Sequence, residues 1–318
     1  MSYKRVIGIC GFLLSLGLFL WIVLRSDTSQ LILALQQIPL HIFVVLLLLQ
    51  CLTLFLIAVQ WKILFVAGTM EISLLRILKM NFIGTFFESV TPAMKSGGEG
   101  FKLLFLRKHR ISMAQSTPIL LAQKIYSFSC FIVLALLAFG FAYQNLSKTF
   151  QIWTLSGLFL IILIIIAFVG FGVLLFKRKK RSPFIKTFSV TSNDVMRHLR
   201  HNHKHHGFLI GISLAIWLLF AVKLYLILQV FNADISLFNS AYLTYIPYTV
   251  GLLPFSPGGL GTFEATMTYL LYPLWTTYSL SVVITVVFRF FSHWLVFIMS
   301  AVVLFINYVL NLRGEVHD

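Results

Sequence analysis

Six apolar runs, near residues 6–24, 41–60, 114–142, 152–176, 208–231 and 280–310, approach or exceed the roughly 20 residues that a helix needs to cross a bilayer. Inside lipid no water satisfies a backbone N–H or C=O, so such runs fold as helices. The remaining composition agrees: 59% of the 318 residues are hydrophobic, 11% are charged, and the mean hydropathy is +0.94. That excludes an ordinary soluble domain and implies one all-α polytopic membrane domain over 1–318. The first run follows Lys4-Arg5 and ends at Trp21-Ile22-Val23-Leu24-Arg25-Ser26. It has no small-residue cleavage site and reads as a retained first helix. Cys10, Cys51 and Cys130 all fall within apolar runs, where packing is the expected role.

Two breaks interrupt this pattern with the same signature. The first runs from Pro92 to Gly97-Gly98-Glu99-Gly100-Phe101, the second is Pro257-Gly258-Gly259-Leu260-Gly261-Thr262-Phe263-Glu264. Pro and Gly clusters end helices, and broken backbone survives at membrane depth only inside protein or a wet cavity. One break in each half of a chain points to paired discontinuous segments around a central site.

The basic residues set the orientation. Lys and Arg concentrate in 1–5, 61–80, 95–112, 177–206 and 311–318, whereas the intervening loops carry only Arg25 and Lys148. This predicts both termini inside. A full span at 77–91 would put Lys95 to Arg110 outside, so a hairpin returning to the inner face fits better. Residues 238–256 and 262–272 form the matching hairpin from the outer face. The expected fold is therefore six full spans plus two re-entrant helical hairpins. Residues 1–147 and 148–318 form an inverted repeat, and eight simple transmembrane helices are the alternative.

Ionisable groups at membrane depth cost at least about 2.5 kcal/mol and so mark candidate sites. Glu99 and Glu264 each follow a glycine break, and Glu88 lies just before the first. Glu264 suits either a helix-start cap or a pathway carboxylate, and Glu99 suits either a local pair with Lys102 or the same pathway role. Arg289 lies about ten residues into the last run, too deep to snorkel easily. It fits either a pair with Glu264 or a bidentate grip on phosphate. Lys95, Lys102, Lys124, Lys223 and His293 are further candidates. The free N–H groups around Gly97, Gly98, Gly100, Gly258, Gly259 and Gly261 suit an anion at a helix start. No metal or cofactor is expected.

The net charge of +16 points to an anionic lipid surface rather than nucleic acid in so apolar a chain. Residues 177–206 read as a basic cytoplasmic loop anchored on that surface. Its five histidines between His198 and His206 lack a Cys or carboxylate partner for a zinc site. No Walker A, Gly-x-Ser-x-Gly or His-Glu-x-x-His pattern occurs.

The string Pro257-Gly258-Gly259-Leu260-Gly261-Thr262-Phe263-Glu264-Ala265 resembles the hallmark of the lysylphosphatidylglycerol synthase transmembrane family, also called flippase-like domain proteins. Asn81, Pro92 and Gly98-Glu99-Gly100-Phe101-Lys102-Leu103-Leu104-Phe105-Leu106 resemble its first block, and Phe288-Arg289 its last. Lys102 stands where the family pattern has Arg, and Gln123-Lys124 where it has Glu-Arg. The resemblance implies a cell-membrane protein that moves an anionic, aminoacylated or polyisoprenyl-phosphate lipid between leaflets, contributing to resistance against cationic antimicrobial peptides. It implies substrate contacts at Glu99, Lys102, Glu264 and Arg289, and membrane phospholipids and a separately encoded lipid synthase as partners. The bifunctional members carry a soluble lysyltransferase domain, which is not expected to be part of this protein. A phosphatidylglycerol lysyltransferase or its accessory subunit, and an ion-coupled small-anion transporter, are the alternative expectations.

Overall fold

The computed structural model describes residues 32–33, 36–90, 96–142, 183–201, 203–233, 235–251, 259–272 and 278–315. Among these residues the regular structure is helical throughout. In chain order the helices are α1 (Leu40–Ala67), α2 (Leu74–Val90), α3 (Ser96–Lys108), α4 (Met113–Ala142) and α5 (Pro183–His201). They continue with α6 (His203–Val230), α7 (Leu237–Gly251), α8 (Thr262–Leu271) and α9 (Tyr278–Arg289). A π-helical turn (Phe290–Trp294) then leads directly into α10 (Leu295–Glu315).

Among the described residues, four stretches are long and apolar enough to cross a membrane: Leu40–Ala67, Met113–Phe141, Lys204–Val230 and Tyr278–Ile306. They coincide with the runs expected near 41–60, 114–142, 208–231 and 280–310. The runs at 6–24 and 152–176 lie outside the described residues, as do Pro92, Lys95, Pro257 and Gly258.

α2 packs on α3 and α7 on α8. Gly259–Gly261 of the second break lie just before α8, whereas Gly97, Gly98 and Gly100, expected from the sequence to break the helix, are helical residues at the start of α3, whose start they share with Glu99. Glycine makes both contacts close. A Cβ on Gly98 would stand 2.7 Å from the Gly84 carbonyl oxygen and 2.8 Å from Glu88 Cβ. A Cβ on Gly259 would stand 3.0 Å from the Gly251 carbonyl oxygen, and Gly259 also holds a φ of +71°. Only glycine adopts that backbone without strain. Small residues that let helices touch at the backbone are the usual adhesive between helices in lipid, where no hydrophobic drive is available.

The interior forms one apolar cluster around each helix pair. Around α7 and α8 gather Leu224, Leu243, Phe263, Met267, Val287 and Phe288; around α2 and α3 gather Trp61, Phe65, Ile77, Met80, Leu106 and Ile119. α1 serves both, through Leu46 near one end and Ala58–Ala67 at the other. Phe86 of α2 stacks on Phe297 of α10 at 5.3 Å, so the first helix pair docks against the last helix.

A polar ladder joins α1 to its neighbours. Gln60 donates to Ser213 of α6 at 2.6 Å and accepts from Gln123 of α4 at 3.1 Å. Further along α1, Gln50 and Thr53 accept from Lys223 of α6. Position falls along α1 as it rises along α6, so the two helices run antiparallel. Gln50, Thr53 and Gln60 recur at helical spacing and face one way. A hydrogen bond of this type is worth on average about 0.6 kcal/mol in a membrane protein. It also fixes which face α1 presents.

The segment 177–206 differs from the loop expected there. Residues 183–201 form the amphipathic helix α5, which lays Thr191 and Val195 against α4 and α1 and leaves Lys186 and Arg197 exposed. Its apolar positions, Phe184, Phe188 and Val195, are spaced at helical intervals within a polar stretch too short and too charged to read as a span.

The close glycine contacts make a specific prediction. Gly259→Ala should lower the stability of the detergent-solubilised protein by about 1–3 kcal/mol, seen as an earlier thermal unfolding transition. Gly100→Ala, where nothing lies within 4 Å of the added Cβ, should leave the transition in place.

Candidate functional site

Helix α8 begins at the second break, and its third residue is Glu264, buried to 1% exposure. One carboxylate oxygen, Oε2, accepts the Gly261 N–H at 2.6 Å. The other, Oε1, accepts Nε of Arg289 at 2.9 Å. The two readings left open by the sequence, a helix cap and an ion pair, therefore hold together, one on each oxygen. Gly261 reaches this geometry with a φ of +79°, again a backbone suited to glycine. The helix start adds a favourable field for the carboxylate.

Arg289 is itself buried and lies over the Phe263 ring, with Cζ 4.4 Å from the centroid. Phe263 stacks on Phe288 at 6.1 Å and meets Tyr248 edge-on at 4.9 Å. Tyr248 is also a hydrogen-bonding neighbour of Arg289. Directly after Arg289 the helix widens into its π turn, a feature that recurs at functional positions. His293 lies in that turn, beside Trp294.

The first half repeats the arrangement with different chemistry. Glu99 lies in the first turn of α3, and its Oε1 accepts both Lys102 and Lys124 at 2.9 Å each. Its Oε2 is buried and has no hydrogen-bond partner among the described residues. Lys102 extends its stem over Gly84, where an added Cβ would meet it at 2.9 Å. Its ammonium lies 5.4 Å from the Trp61 ring. Glu88 lies within electrostatic range of Lys124. Asn81 is on the face of α2 that carries Gly84 and Glu88, and its amide nitrogen is buried without a hydrogen-bond partner among the described residues.

Twenty-five residues separate Glu264 from Arg289, and the same interval separates Glu99 from Lys124. In each half, the helix that follows the break offers a first-turn carboxylate to a cation on the next long helix. The two pairs differ in access. Glu264 and Arg289 are sealed, whereas the side chains of Glu99 and Lys124 remain 24% and 32% exposed.

The structure thus joins Arg289 to Glu264, and Glu99 to Lys102 and Lys124. Gly98, Gly259 and Gly261 shape the backbone around them, Gly97 is half-buried in α3, and Gly100 faces outward. Lys223 belongs to neither pair. The union of Glu99 with Lys124 went unread in the sequence, although the repeated interval of twenty-five residues was a signal that could have found it.

Residues 8–300 match the family described as the lysylphosphatidylglycerol synthase TM region. The chain belongs to this family. It is similar to a UPF0104 membrane protein of Methanothermobacter thermautotrophicus, with 27% identity over 76% of this chain and 78% of that protein. It is also similar to a UPF0104 membrane protein of Pyrococcus horikoshii, with 20% identity over 96% of this chain and 97% of that one. Family and helix composition together make this a membrane protein.

Removing Glu264 leaves a buried guanidinium without its carboxylate, a change that costs roughly 3–5 kcal/mol for buried pairs. Glu264→Gln should therefore destabilise the protein by that order, and Arg289→Met in the same chain should recover most of the loss. Chemical denaturation in detergent measures both. Equal destabilisation by single and double variants would show that the pair does not act as a unit.

Proposed function

We propose that this protein is a lipid translocase of the cell membrane that moves a phospholipid bearing both phosphate and ammonium groups. The observation that carries this reading is the doubled carboxylate–cation pair, one at the start of each post-break helix, one sealed and one part-open. Six full spans with both termini inside, and the α2–α3 and α7–α8 pairs as re-entrant hairpins of opposite entry, complete the arrangement. In support, α3, α7 and α8 have 13, 15 and 10 described residues, each short of a full crossing, and α2 with 17 is at the lower limit.

The headgroup site is centred on Glu99. Lys102 and Lys124 supply more ammonium donors than one carboxylate oxygen satisfies, which suits a lipid phosphate. The unpartnered Oε2 of Glu99 and the amide of Asn81 suit the amine and hydroxyl groups of an aminoacylated headgroup. Lysines in place of arginines give point charges rather than a planar fork, a choice that favours a headgroup read by charge more than by bidentate geometry. The sealed Glu264–Arg289 pair is the equivalent site in its closed state, and translocation exchanges the two. The basic helix α5 rests on the anionic inner surface, where a separately encoded lipid synthase can deliver its product.

The test is headgroup-resolved lipid movement in proteoliposomes, with lysyl-phosphatidylglycerol, phosphatidylglycerol and a polyisoprenyl phosphate compared. Lysyl-phosphatidylglycerol should move fastest, and both Lys124→Gln and Glu99→Gln should slow it at unchanged thermal stability. Movement of a soluble anion instead of any lipid would favour a small-anion carrier. Lysine transfer to phosphatidylglycerol would favour an enzyme.

A further inference from the structure

Lys223 is fully buried in α6, with no exposed side-chain surface. A lysine near a span end ordinarily snorkels to water; this one turns inward. Its Nζ donates to Gln50 Oε1 and to Thr53 Oγ1 at 3.3 Å, both on α1, and lies 4.2 Å from the centre of the Phe220 ring. Gln50 and Thr53 are themselves buried. Among the described residues no carboxylate forms a salt bridge with Lys223.

An ammonium held only by neutral groups at membrane depth is expensive, and such groups usually mark an ion or proton pathway. The surroundings accept either protonation state. A neutral amine has two N–H groups, which the two acceptors on α1 satisfy. An ammonium has a third, which the face of Phe220 receives as a cation–π contact. Neither state strands an N–H group.

The groups facing Lys223 from the other packed elements lead in one direction. α4 contributes apolar side chains, Phe131, Ala135, Ala138 and Phe139, to the clusters around this part of α6, and α5 meets α6 far away near Leu209. From α7, the Tyr245 hydroxyl donates to the Trp217 carbonyl, and Tyr248 meets the Phe220 ring edge-on with the centroids 5.3 Å apart. Beyond Tyr248 lies Arg289 of α9, held by Glu264. Phe220 and Tyr248 therefore form a chain of contacts from Lys223 to the sealed ion pair.

We propose that Lys223, with Gln50 and Thr53, is a proton-binding site coupled through Phe220 and Tyr248 to the Glu264–Arg289 pair. Its coupling role rests on the translocase reading, in which proton uptake or release at Lys223 biases the exchange between sealed and open states. Its proton binding does not.

Two measurements on the full-length protein in proteoliposomes test the two parts. Isotope-labelled lysine Nζ resonances are followed from about pH 6 to about pH 9, where ordinary lysines stay protonated. One resonance should move across this range and be absent from both Lys223→Gln and Lys223→Met. A Lys223 resonance that stays fixed overturns the site. Lipid movement is then driven by an imposed pH gradient. Wild type should respond to the gradient, and the Lys223 variants should lose that response while retaining wild-type unfolding behaviour. Lipid movement indifferent to the gradient in wild type, or a response retained in the variants, overturns the coupling. If no lipid moves in wild type, the translocase reading and the coupling fall together, and the resonance still decides the proton site.

Discussion

A carboxylate sealed among apolar helices keeps its charge only if both of its oxygens are satisfied. Glu264 meets this condition by binding the Gly261 N–H with one oxygen and Arg289 with the other. Much of the local structure depends on that division. The N–H bond fixes where α8 begins, and the guanidinium bond ties α8 to α9. The rings of Phe263 and Phe288, with Tyr248, keep water from both. The glycines earn their place here through backbone geometry: Gly261 turns the chain toward the carboxylate, and Gly259 lets the break lie against Gly251.

The first half uses the same plan with looser chemistry. Glu99 shares one oxygen between two lysines and leaves the other without a hydrogen-bond partner among the described residues. A pair that is partly exposed and unevenly satisfied exchanges partners more easily than a sealed one. In the proposed translocase, the sealed and the partly exposed pair would be equivalent sites in different states. Lys223 adds a cation near the sealed site that has no salt-bridge partner among the described residues.

The long helices were legible because a run of apolar residues in lipid has one way to satisfy its backbone. The second break was legible because Pro and Gly disrupt helices where they cluster, whereas Gly97, Gly98 and Gly100 run as helix into α3. Arg289 and Glu264 stood out by cost, being charges in apolar surroundings, and pairing was among the readings each allowed. Helix α5 was missed because it lies in a charged stretch, where a weak periodicity of Phe184, Phe188 and Val195 competes with a strong loop signal. The π turn after Arg289 leaves no sequence mark at all, since Phe290-Phe291-Ser292-His293-Trp294 would fit an ordinary helix equally well.

By itself the sequence determined the solvent this chain folds in, the helical character of its described apolar runs, the glycine turn before α8 and its family. These follow from local chemistry: hydropathy, backbone satisfaction and the conformational reach of glycine. Only the tertiary structure decided which charges meet. The joining of Glu99 to Lys124, and of Lys223 to Gln50 and Thr53, depends on how α1, α3, α4 and α6 turn their faces toward one another. That rotation is set by packing and by the polar ladder across several helices at once. It also decided that one ion pair is sealed and its counterpart open, since exposure belongs to the assembled bundle and not to any single segment.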